Sequence, residues 1–369
     1  MSTGFLNLST TGHDNSHDPR LVIYFFTFQI SYKMKTVLVS GGLGFIGSHT
    51  VVELLNGGYN VIIIDNLVNS STDVFTKIIE ITNLTDNDRL QYYNVDIRDR
   101  LQLEFIFLNN PIEAVIHFAS LKAVAESIKT PLDYYYNNVS GTITLLQVMA
   151  LHNCKKIIFS SSATVYGTNT YPVSEDSRIG DGITNPYGKT KYMLENILED
   201  LYTSDKSWSV VILRYFNPIG AHASGLIGEN PNDTPNNLFP FILKVAVGKL
   251  DKLCIFGNDY ETFDGTCVRD FIHVLDLARG HILSLNKLEA SGMNIYNLGT
   301  GKGTSVLELI TTFEKVNNIK LNYEFSQRRN GDLSVVYANA EKALRELGWE
   351  SKYSIEDMCQ HGYNFIKKL

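Results

Sequence analysis

Residues 36–47 read TVLVSGGLGFIG and give the clearest indication of the fold. The apolar segment Thr36–Ser40 predicts a buried strand, and the residues after the stretch have the pattern of a helix. Between them, Gly41, Gly44 and Gly47 give the spacing G-x-x-G-x-x-G. A glycine turn between a strand and a helix lets backbone N–H groups and the helix N-terminus face a pyrophosphate. The stretch therefore predicts a dinucleotide-binding turn.

An acidic residue at the end of the next predicted strand indicates which dinucleotide is bound. Val61–Ile64 is apolar and is followed by Asp65, 18 positions after Gly47. A carboxylate at this place accepts hydrogen bonds from an adenosine ribose and repels a 2′-phosphate. We therefore predict NAD, rather than NADP, as the cofactor.

Apolar strands continue to alternate with helical stretches up to about Asn217. The further predicted strands are Leu90–Val95, Glu113–Phe118, Lys156–Ser160 and Ser209–Leu213, and a long helix is predicted over Leu132–His152. This alternation is typical of a parallel sheet that helices cover on both faces. The predicted fold class is α/β, a Rossmann-type doubly wound parallel sheet with a smaller C-terminal α/β substrate-binding lobe. The predicted domains are residues 34–217 and 218–369.

Composition and charge exclude several classes of protein. The chain has 369 residues, of which 44% are hydrophobic and 19% charged, and its net charge is −7. This composition argues against disorder, and scattered charges disfavour binding to nucleic acid or to an anionic membrane. No apolar run reaches the roughly 20 residues of a membrane span. The four cysteines lack zinc or disulfide spacing, so we expect a reduced, cytoplasmic protein without a metal site.

Residues 1–33 differ from the rest of the chain. A polar start precedes the apolar run Leu21–Ile30, and this order lacks the basic beginning and the cleavage site of a secretory signal. We expect a disordered tail or an over-extended start, with Met34 as an alternative first residue. Removing this tail is expected to cost no activity.

The segment Tyr187-Gly188-Lys189-Thr190-Lys191 supplies the candidate chemistry. A phenol and an ammonium at i and i+4 project from one face of a helix. A phenolate at about pH 7 needs roughly 4 kcal/mol of stabilisation, because free tyrosine titrates near pH ~10. Lys191 and a cationic nicotinamide ring can supply it. Ser162 lies at the end of a predicted strand, where open α/β sheets bind ligands, and its hydroxyl can share the proton with Tyr187.

These motifs resemble the UDP-glucose 4-epimerase family of the extended short-chain dehydrogenase/reductase superfamily. The resemblance runs from Met34 almost to the C-terminus and includes the second lobe. The segments that carry it are Val39–Thr50, Asp65–Leu67, Ile116–Ala123, Phe159–Gly167, Asn185–Lys191, Arg214–Ala221, Ile255–Tyr260, Gly265–Val274 and Arg328–Leu333.

The resemblance implies a role for each matching position. It implies NAD contacts at Gly41, Gly44, Phe45, Ile46, Gly47, Asp65, Asn66, Asn69, Ser70, Asp96, Ile97, Phe118, Ala119, Lys122, Asn137, Lys191 and Tyr215. It implies catalytic roles for Ser162, Tyr187 and Lys191, and UDP-sugar contacts at Ser162, Tyr187, Phe216, Asn217, Asn237, Leu238, Phe256, Arg269, Arg329, Asp332 and Val336. Two arginines suit a bidentate grip on a pyrophosphate, whereas their alternative role is an ordinary surface salt bridge.

The implied reaction is the reversible interconversion of UDP-glucose and UDP-galactose at C4 through tightly bound NAD and a 4-keto sugar. Three alternatives are weighed against it. A nucleotide-sugar 4,6-dehydratase is disfavoured because Ala163 and Thr164 occupy the place of its acidic residues. Epimerases of a UDP-pentose or a UDP-uronate remain closer rivals. A non-catalytic dinucleotide-binding regulator should have lost Tyr187 or Lys191, and both are present.

Two further expectations concern the sugar and the assembly. Val336 stands where some family members carry a tyrosine that narrows the hexose pocket. A smaller wall leaves room for an N-acetyl group, so we expect activity on UDP-N-acetylglucosamine and its galacto epimer. The resemblance also implies a homodimer, and Asn137–Leu151 is apolar enough to pair across a two-fold axis.

Overall fold

The computed structural model describes residues 35–85, 89–231, 235, 237–329 and 331–369. The expectation for residues 1–33 lies outside the described residues. The strands are β1 (Thr36–Ser40), β2 (Asn60–Asp65), β3 (Leu90–Asn94), β4 (Ile112–His117), β5 (Lys156–Ser162), β6 (Ser209–Tyr215), β7 (Asn217–Ile219), β8 (Leu253–Phe256), β9 (Val268–Arg269), β10 (Phe271–His273), β11 (Gly292–Leu298), β12 (Thr304–Ser305), β13 (Tyr323–Ser326) and β14 (Val335–Val336).

The α-helices are α1 (Phe45–Asn56), α2 (Asp73–Thr82), α3 (Arg100–Asn109), α4 (Val124–Lys129), α5 (Pro131–Tyr134), α6 (Gly141–Leu151), α7 (Pro186–Ser204), α8 (Leu238–Ala246), α9 (Val274–Leu285), α10 (Val306–Asn317), α11 (Glu341–Leu347) and α12 (Ile355–Ile366). A π-helical turn, Tyr135–Ser140, joins α5 to α6, and 3₁₀ turns occupy Ala163–Tyr166 and Asn286–Leu288. None of the described helices is long and apolar enough to cross a membrane.

Seven parallel strands form the central sheet in the order β3-β2-β1-β4-β5-β6-β11. Alternate side chains of each strand enter two different cores, because successive residues of a strand point to opposite faces. Val39 and Ile63 pack into the core under α1, α2 and α9. Leu38 and Ile62 pack into the core under α3, α6 and α7. Helices on both faces confirm the predicted doubly wound α/β fold.

A third apolar core lies in the C-terminal part of the chain. Phe239 and Leu243 of α8 pack there with residues of β8, α10 and α12, including Phe313 and Met358. Short strands frame this lobe, with β8 paired to β13 and β9 lying between β12 and β14. The smaller α/β lobe expected after the main sheet is therefore present.

The chain returns to the central sheet after entering this lobe. Strand β11 pairs in parallel with β6, from Gly292 opposite Ser209 to Leu298 opposite Tyr215. Sequence periodicity did not identify β11 as the seventh strand, because pairing over such a separation depends on contacts that no local pattern records. A division at Asn217 therefore places one strand of this sheet beyond the boundary.

The glycine turn generates a prediction for Gly47→Ala. A Cβ at Gly47 would lie 2.2 Å from the Gly41 carbonyl oxygen, and backbone must move to accept it. We expect a cost of about 1–3 kcal/mol, measured as a lower midpoint of thermal unfolding. Gly292→Ala is the control, because among the described residues the nearest neighbour of its Cβ, the Asn294 side chain, would be 3.9 Å away. Equal midpoints for Gly47→Ala and the unmodified protein would contradict this account of the turn.

Candidate active site

The glycine turn connects β1 to α1 at the carboxyl edge of the sheet. Gly41 has φ +71°, a conformation that favours glycine, and a Cβ there would lie 2.8 Å from the backbone nitrogen of Ala119. Gly44 is the N-cap of α1 and carries no side chain that could occupy the first N–H groups of the helix. The turn thus leaves a cradle at the positive end of α1 that fits an anionic pyrophosphate.

Asp65 ends β2 beside this cradle and is almost fully buried. Its carboxylate accepts hydrogen bonds from the backbone N–H groups of Leu43 and Leu67, both at 3.0 Å, and from the Ser70 hydroxyl at 2.7 Å. These bonds fix the carboxylate at the edge of the cavity, where its position fits the ribose hydroxyls of a dinucleotide.

The Asp96 carboxylate, just after β3, is held mainly by the side chain of Arg98. Its carboxylate forms two bonds with the Arg98 guanidinium, at 2.8 and 2.7 Å, and accepts the Asn66 amide at 2.9 Å. The bonds from Arg98 lower the pKa of Asp96 to about 2. Asp96 therefore orients Asn66, which lines the cavity, whereas Asp96 itself is not among the lining residues described.

The Tyr187 and Lys191 side chains meet the end of β5 at the first turn of α7. The helix begins at Pro186, and the side chain of its N-cap, Asn185, accepts the Gly188 N–H at 2.8 Å. The Lys191 Nζ donates to the Ser160 carbonyl at 2.7 Å and lies 5.9 Å from the centre of the Tyr187 ring. The i,i+4 pair thus faces the strand end that the sequence predicted.

Burial controls the charge of both side chains. It lowers the pKa of Lys191 from 10.5 to about 7, and the Glu195 carboxylate one helical turn further along opposes this shift. Burial raises the pKa of Tyr187 above 10.0, while a hydrogen bond with Ser162 opposes it. The protein alone therefore favours the phenol, and a phenolate at neutral pH needs a further positive charge nearby.

Buried polar side chains of α7 and β6 hold the serine segment at the end of β5 in place. The Ser161 hydroxyl donates to Glu195 Oε1 at 2.5 Å, and Glu195 forms a buried ion pair with Arg214 at 2.7 Å. Sequence reasoning did not identify Glu195, although its position four residues after Lys191 on the same helix is a signal that could have found it.

Asn137 reaches the cavity from the π-helical turn. Its amide donates to the side chain of Asn138 at 2.9 Å. Asn138 is fully buried, accepts the Leu121 N–H at 2.8 Å and donates to Thr190 at 3.1 Å. Asn138 was also missed, and it links the loop after β4 to the helix that carries Tyr187.

The second lobe contributes an arginine-rich wall. Arg329 pairs with Asp332 at 3.0 Å, and its guanidinium lies 4.8 Å from the centre of the Phe256 ring. Arg269 donates to the Val268 carbonyl at 2.8 Å, and no acidic side chain of the described residues forms an ion pair with it. Arg329 thus forms a surface salt bridge and also contacts the Phe256 ring. Arg269 forms no salt bridge with the described residues.

One cavity of about 1080 Å³ brings nearly all these groups together. The predicted residues that line it are Gly41, Gly44, Phe45, Ile46, Gly47, Asp65, Asn66, Asn69, Ser70, Ile97, Phe118, Ala119, Lys122, Asn137, Ser162, Tyr187, Lys191, Tyr215, Phe216, Asn217, Asn237, Leu238, Phe256, Arg269, Arg329 and Asp332. Val336 is not among the described lining residues and packs beside the buried cluster that includes Phe216. The described residues contain no group of three or more ligating side chains placed to hold a metal ion.

Comparisons with known proteins identify the family of this chain. A family model described as GDP-mannose 4,6 dehydratase matches residues 38–362. The UDP-glucose 4-epimerase of Bacillus subtilis is 54% identical over 331 residues, which cover 89% of this chain and 96% of that protein. The chain belongs to the UDP-glucose 4-epimerase family.

Two further relatives of this family widen the comparison. The bifunctional UDP-glucose 4-epimerase and UDP-xylose 4-epimerase 1 of Pisum sativum is 50% identical over 335 residues, covering 90% of this chain and 95% of that protein. The crystal structure of UDP-glucose 4-epimerase from Bifidobacterium longum in complex with NAD+ and UDP superposes with a TM-score of 0.87. The two sequences are 50% identical, and the match covers 90% of this chain and 98% of the B. longum chain.

The buried ammonium of Lys191 generates a pH-dependent prediction. Because its pKa in the folded, ligand-free chain is about 7 instead of 10.5, the unfolded chain binds more protons between these values. Folding stability attributable to Lys191 should therefore increase as the pH rises through this window. Urea unfolding at about pH 7, 8 and 9 should show the unmodified protein gaining stability relative to Lys191→Met.

Lys189→Met is the matched control for this measurement, since it removes an exposed lysine from the same helix. A stability difference between Lys191→Met and the unmodified protein that stays constant with pH would refute the buried-ammonium account.

Proposed function

We propose that this chain interconverts UDP-glucose and UDP-galactose with a tightly bound NAD cofactor. The observation that carries the proposal is that Tyr187, Lys191 and Ser162 line the same cavity as the glycine cradle, Asp65 and the arginine-rich wall. A cavity of about 1080 Å³ has room for a dinucleotide and a nucleotide sugar together. The B. subtilis relative and the B. longum structure with NAD+ and UDP support it.

The residues divide the work of the reaction. NAD+ held by the glycine cradle and Asp65 would supply an acceptor for the hydride of the sugar C4 and a donor for its return. Tyr187 as phenolate removes the proton of the C4 hydroxyl, and Ser162 shares that proton through its hydrogen bond with Tyr187. Lys191 stabilises the phenolate by its charge. The resulting 4-keto sugar turns, exposes its other face, receives the hydride there and regains the proton from Tyr187, so that there is no net redox change.

Binding energy is concentrated on the nucleotide rather than on the hexose. Arg269 and Arg329 would hold the pyrophosphate of UDP, and Asp332 would hold its ribose hydroxyls. Firm contacts to a remote part of the substrate hold the 4-keto sugar without freezing its ring. This division suits a reaction in which the sugar must rotate.

Tyr187→Phe should abolish interconversion while leaving nucleotide binding intact, because only the proton-transfer group is removed. We expect kcat to fall by at least about 100-fold, measured as conversion of UDP-galactose to UDP-glucose, with UDP affinity measured by calorimetry. Tyr202→Phe is the control, since Tyr202 lies near the other end of α7. Turnover of Tyr187→Phe near the unmodified rate would rule out the assignment.

A UDP-pentose is the second candidate substrate. The name of the P. sativum relative includes UDP-xylose 4-epimerase. The chemistry at C4 needs no group at C6, so the same residues can act on a pentose. The test is the same conversion assay with UDP-xylose in place of UDP-galactose. Epimerisation of UDP-xylose would support this second substrate, and its absence would exclude it.

Activity on UDP-N-acetylglucosamine is also proposed, because the valine at position 336 is smaller than a tyrosine and packs beside the cluster that includes Phe216, a residue of the cavity wall. Val336→Tyr should reduce kcat/KM for the acetylated sugar by at least about tenfold, through loss of room, and reduce it less for UDP-glucose. Val336→Ala is the control and should keep both activities. Absence of turnover of the acetylated sugar by the unmodified protein would refute the proposal.

The assembly and the division of the chain complete the proposal. We propose residues 34–217 as the NAD-binding domain and 218–369 as the UDP-sugar lobe.

A homodimer is supported by apolar side chains exposed along one run of helices, including Leu132 at 79% and Leu151 at 62% exposed. A cytoplasmic location is supported by four cysteines that form no disulfide.

A further inference from the structure

A buried carboxylate, Glu229, joins the two sides of the cavity. Its Oε1 accepts a hydrogen bond from Lys122 Nζ at 2.7 Å and another from the Asn237 side-chain amide at 3.2 Å. The Glu229 side chain is only 7% exposed, and all three residues line the cavity. No pattern in the sequence drew attention to Glu229.

The two partners of Glu229 belong to different parts of the fold. Lys122 follows β4 and stands over the start of α1, with its Nζ 5.9 Å from the centre of the Phe45 ring. Asn237 is the N-cap of α8 in the second lobe, yet its side chain makes no capping bond to that helix. One carboxylate oxygen therefore connects Lys122, beside the dinucleotide cradle, to the N-cap residue of α8.

The ion pair with Lys122 compensates the charge of the buried Glu229 carboxylate. A buried carboxylate is costly unless it is paired, and here it stands in a cavity suited to two anionic pyrophosphates. The Lys122 ammonium supplies the pairing charge at 2.7 Å. Removing Lys122 alone would leave the buried Glu229 carboxylate with the Asn237 amide but without a cationic partner among the described residues.

We propose that Glu229 is a positioning residue that couples UDP binding to retention of NAD through the bridge Lys122–Glu229–Asn237. The proposal rests on the proposed function, because it assigns Lys122 to the NAD side and Asn237 to the UDP side. A nucleotide that fixes Asn237 also fixes Glu229, and Glu229 then restrains Lys122 beside the cradle. Such coupling is reciprocal, so bound NAD strengthens UDP binding by the same factor.

The test compares Glu229→Ala and Glu229→Gln in the full-length, NAD-loaded protein. UDP affinity is measured by calorimetry, and the rate of NAD release in moderate urea is measured with and without saturating UDP. UDP should slow NAD release from the unmodified protein. Glu229→Ala should bind UDP about five- to tenfold more weakly and lose this protection, because it loses both hydrogen bonds. Glu229→Gln keeps an acceptor oxygen and should recover part of both effects.

Glu314→Ala is the matched control. Glu314 pairs with Lys320 at 2.8 Å with a side chain 10% exposed, and it is not among the described lining residues of the cavity. UDP should protect NAD in this variant as in the unmodified protein. Loss of protection in Glu314→Ala as well would assign the effect to general loosening of the lobe and overturn the proposal.

A double variant tests the pairing itself. Lys122→Met should speed NAD release without UDP, and adding Glu229→Ala should reverse part of that increase, since the unpaired carboxylate is removed. Strictly additive effects, or full UDP protection in Glu229→Ala, would overturn the bridge. Neither measurement uses turnover, so a protein that binds both nucleotides without epimerising UDP-glucose would contradict the proposed function alone.

Discussion

The close approach of Gly47 to the Gly41 carbonyl determines where the rest of the site can stand. Because neither residue carries a Cβ, α1 starts directly against the end of β1 and its first N–H groups face the cavity. Gly41 also lies against Ala119, so the end of β4 is held beside the same turn. The carboxyl ends of parallel strands share one edge of a sheet, and this turn fixes the middle of that edge.

The electrostatic design of the candidate site depends on burial. Removal from water works against the charged form of both members of the reactive pair, lowering the pKa of Lys191 to about 7 and raising that of Tyr187. The protein alone therefore favours the phenol of Tyr187, and a phenolate needs a further positive charge beside it. A cationic ring bound beside Tyr187 would favour the phenolate, so the proposed proton transfer would depend on occupancy of the dinucleotide cradle.

Local signals in the sequence predicted the parts of the molecule that depend on neighbouring residues. The turn after β1, Asp65 at the end of β2 and the i,i+4 pair on α7 each occupy a few successive positions, and each stands where it was predicted. Contacts between segments far apart in the sequence were not predicted, because no local sequence pattern indicates them. Strand β11 joins the sheet beside β6, and Glu229 meets a lysine 107 positions away in the sequence. Those contacts depend on how the lobes pack, which periodicity does not record.

The two sides of the cavity differ in how deeply their ion pairs are buried. The serine strand is braced by a buried ion pair between Glu195 and Arg214, whose Nη1 also bonds the Tyr166 hydroxyl at 3.0 Å. Arg329 on the opposite wall is 54% exposed, and among the described residues its guanidinium pairs with Asp332 and lies over the Phe256 ring. A surface ion pair of this kind contributes ~1 kcal/mol or less, so Arg329 can exchange its partner for a phosphate at low cost. The charged groups are thus buried and braced behind the serines of β5, and exposed on the wall that carries Arg329.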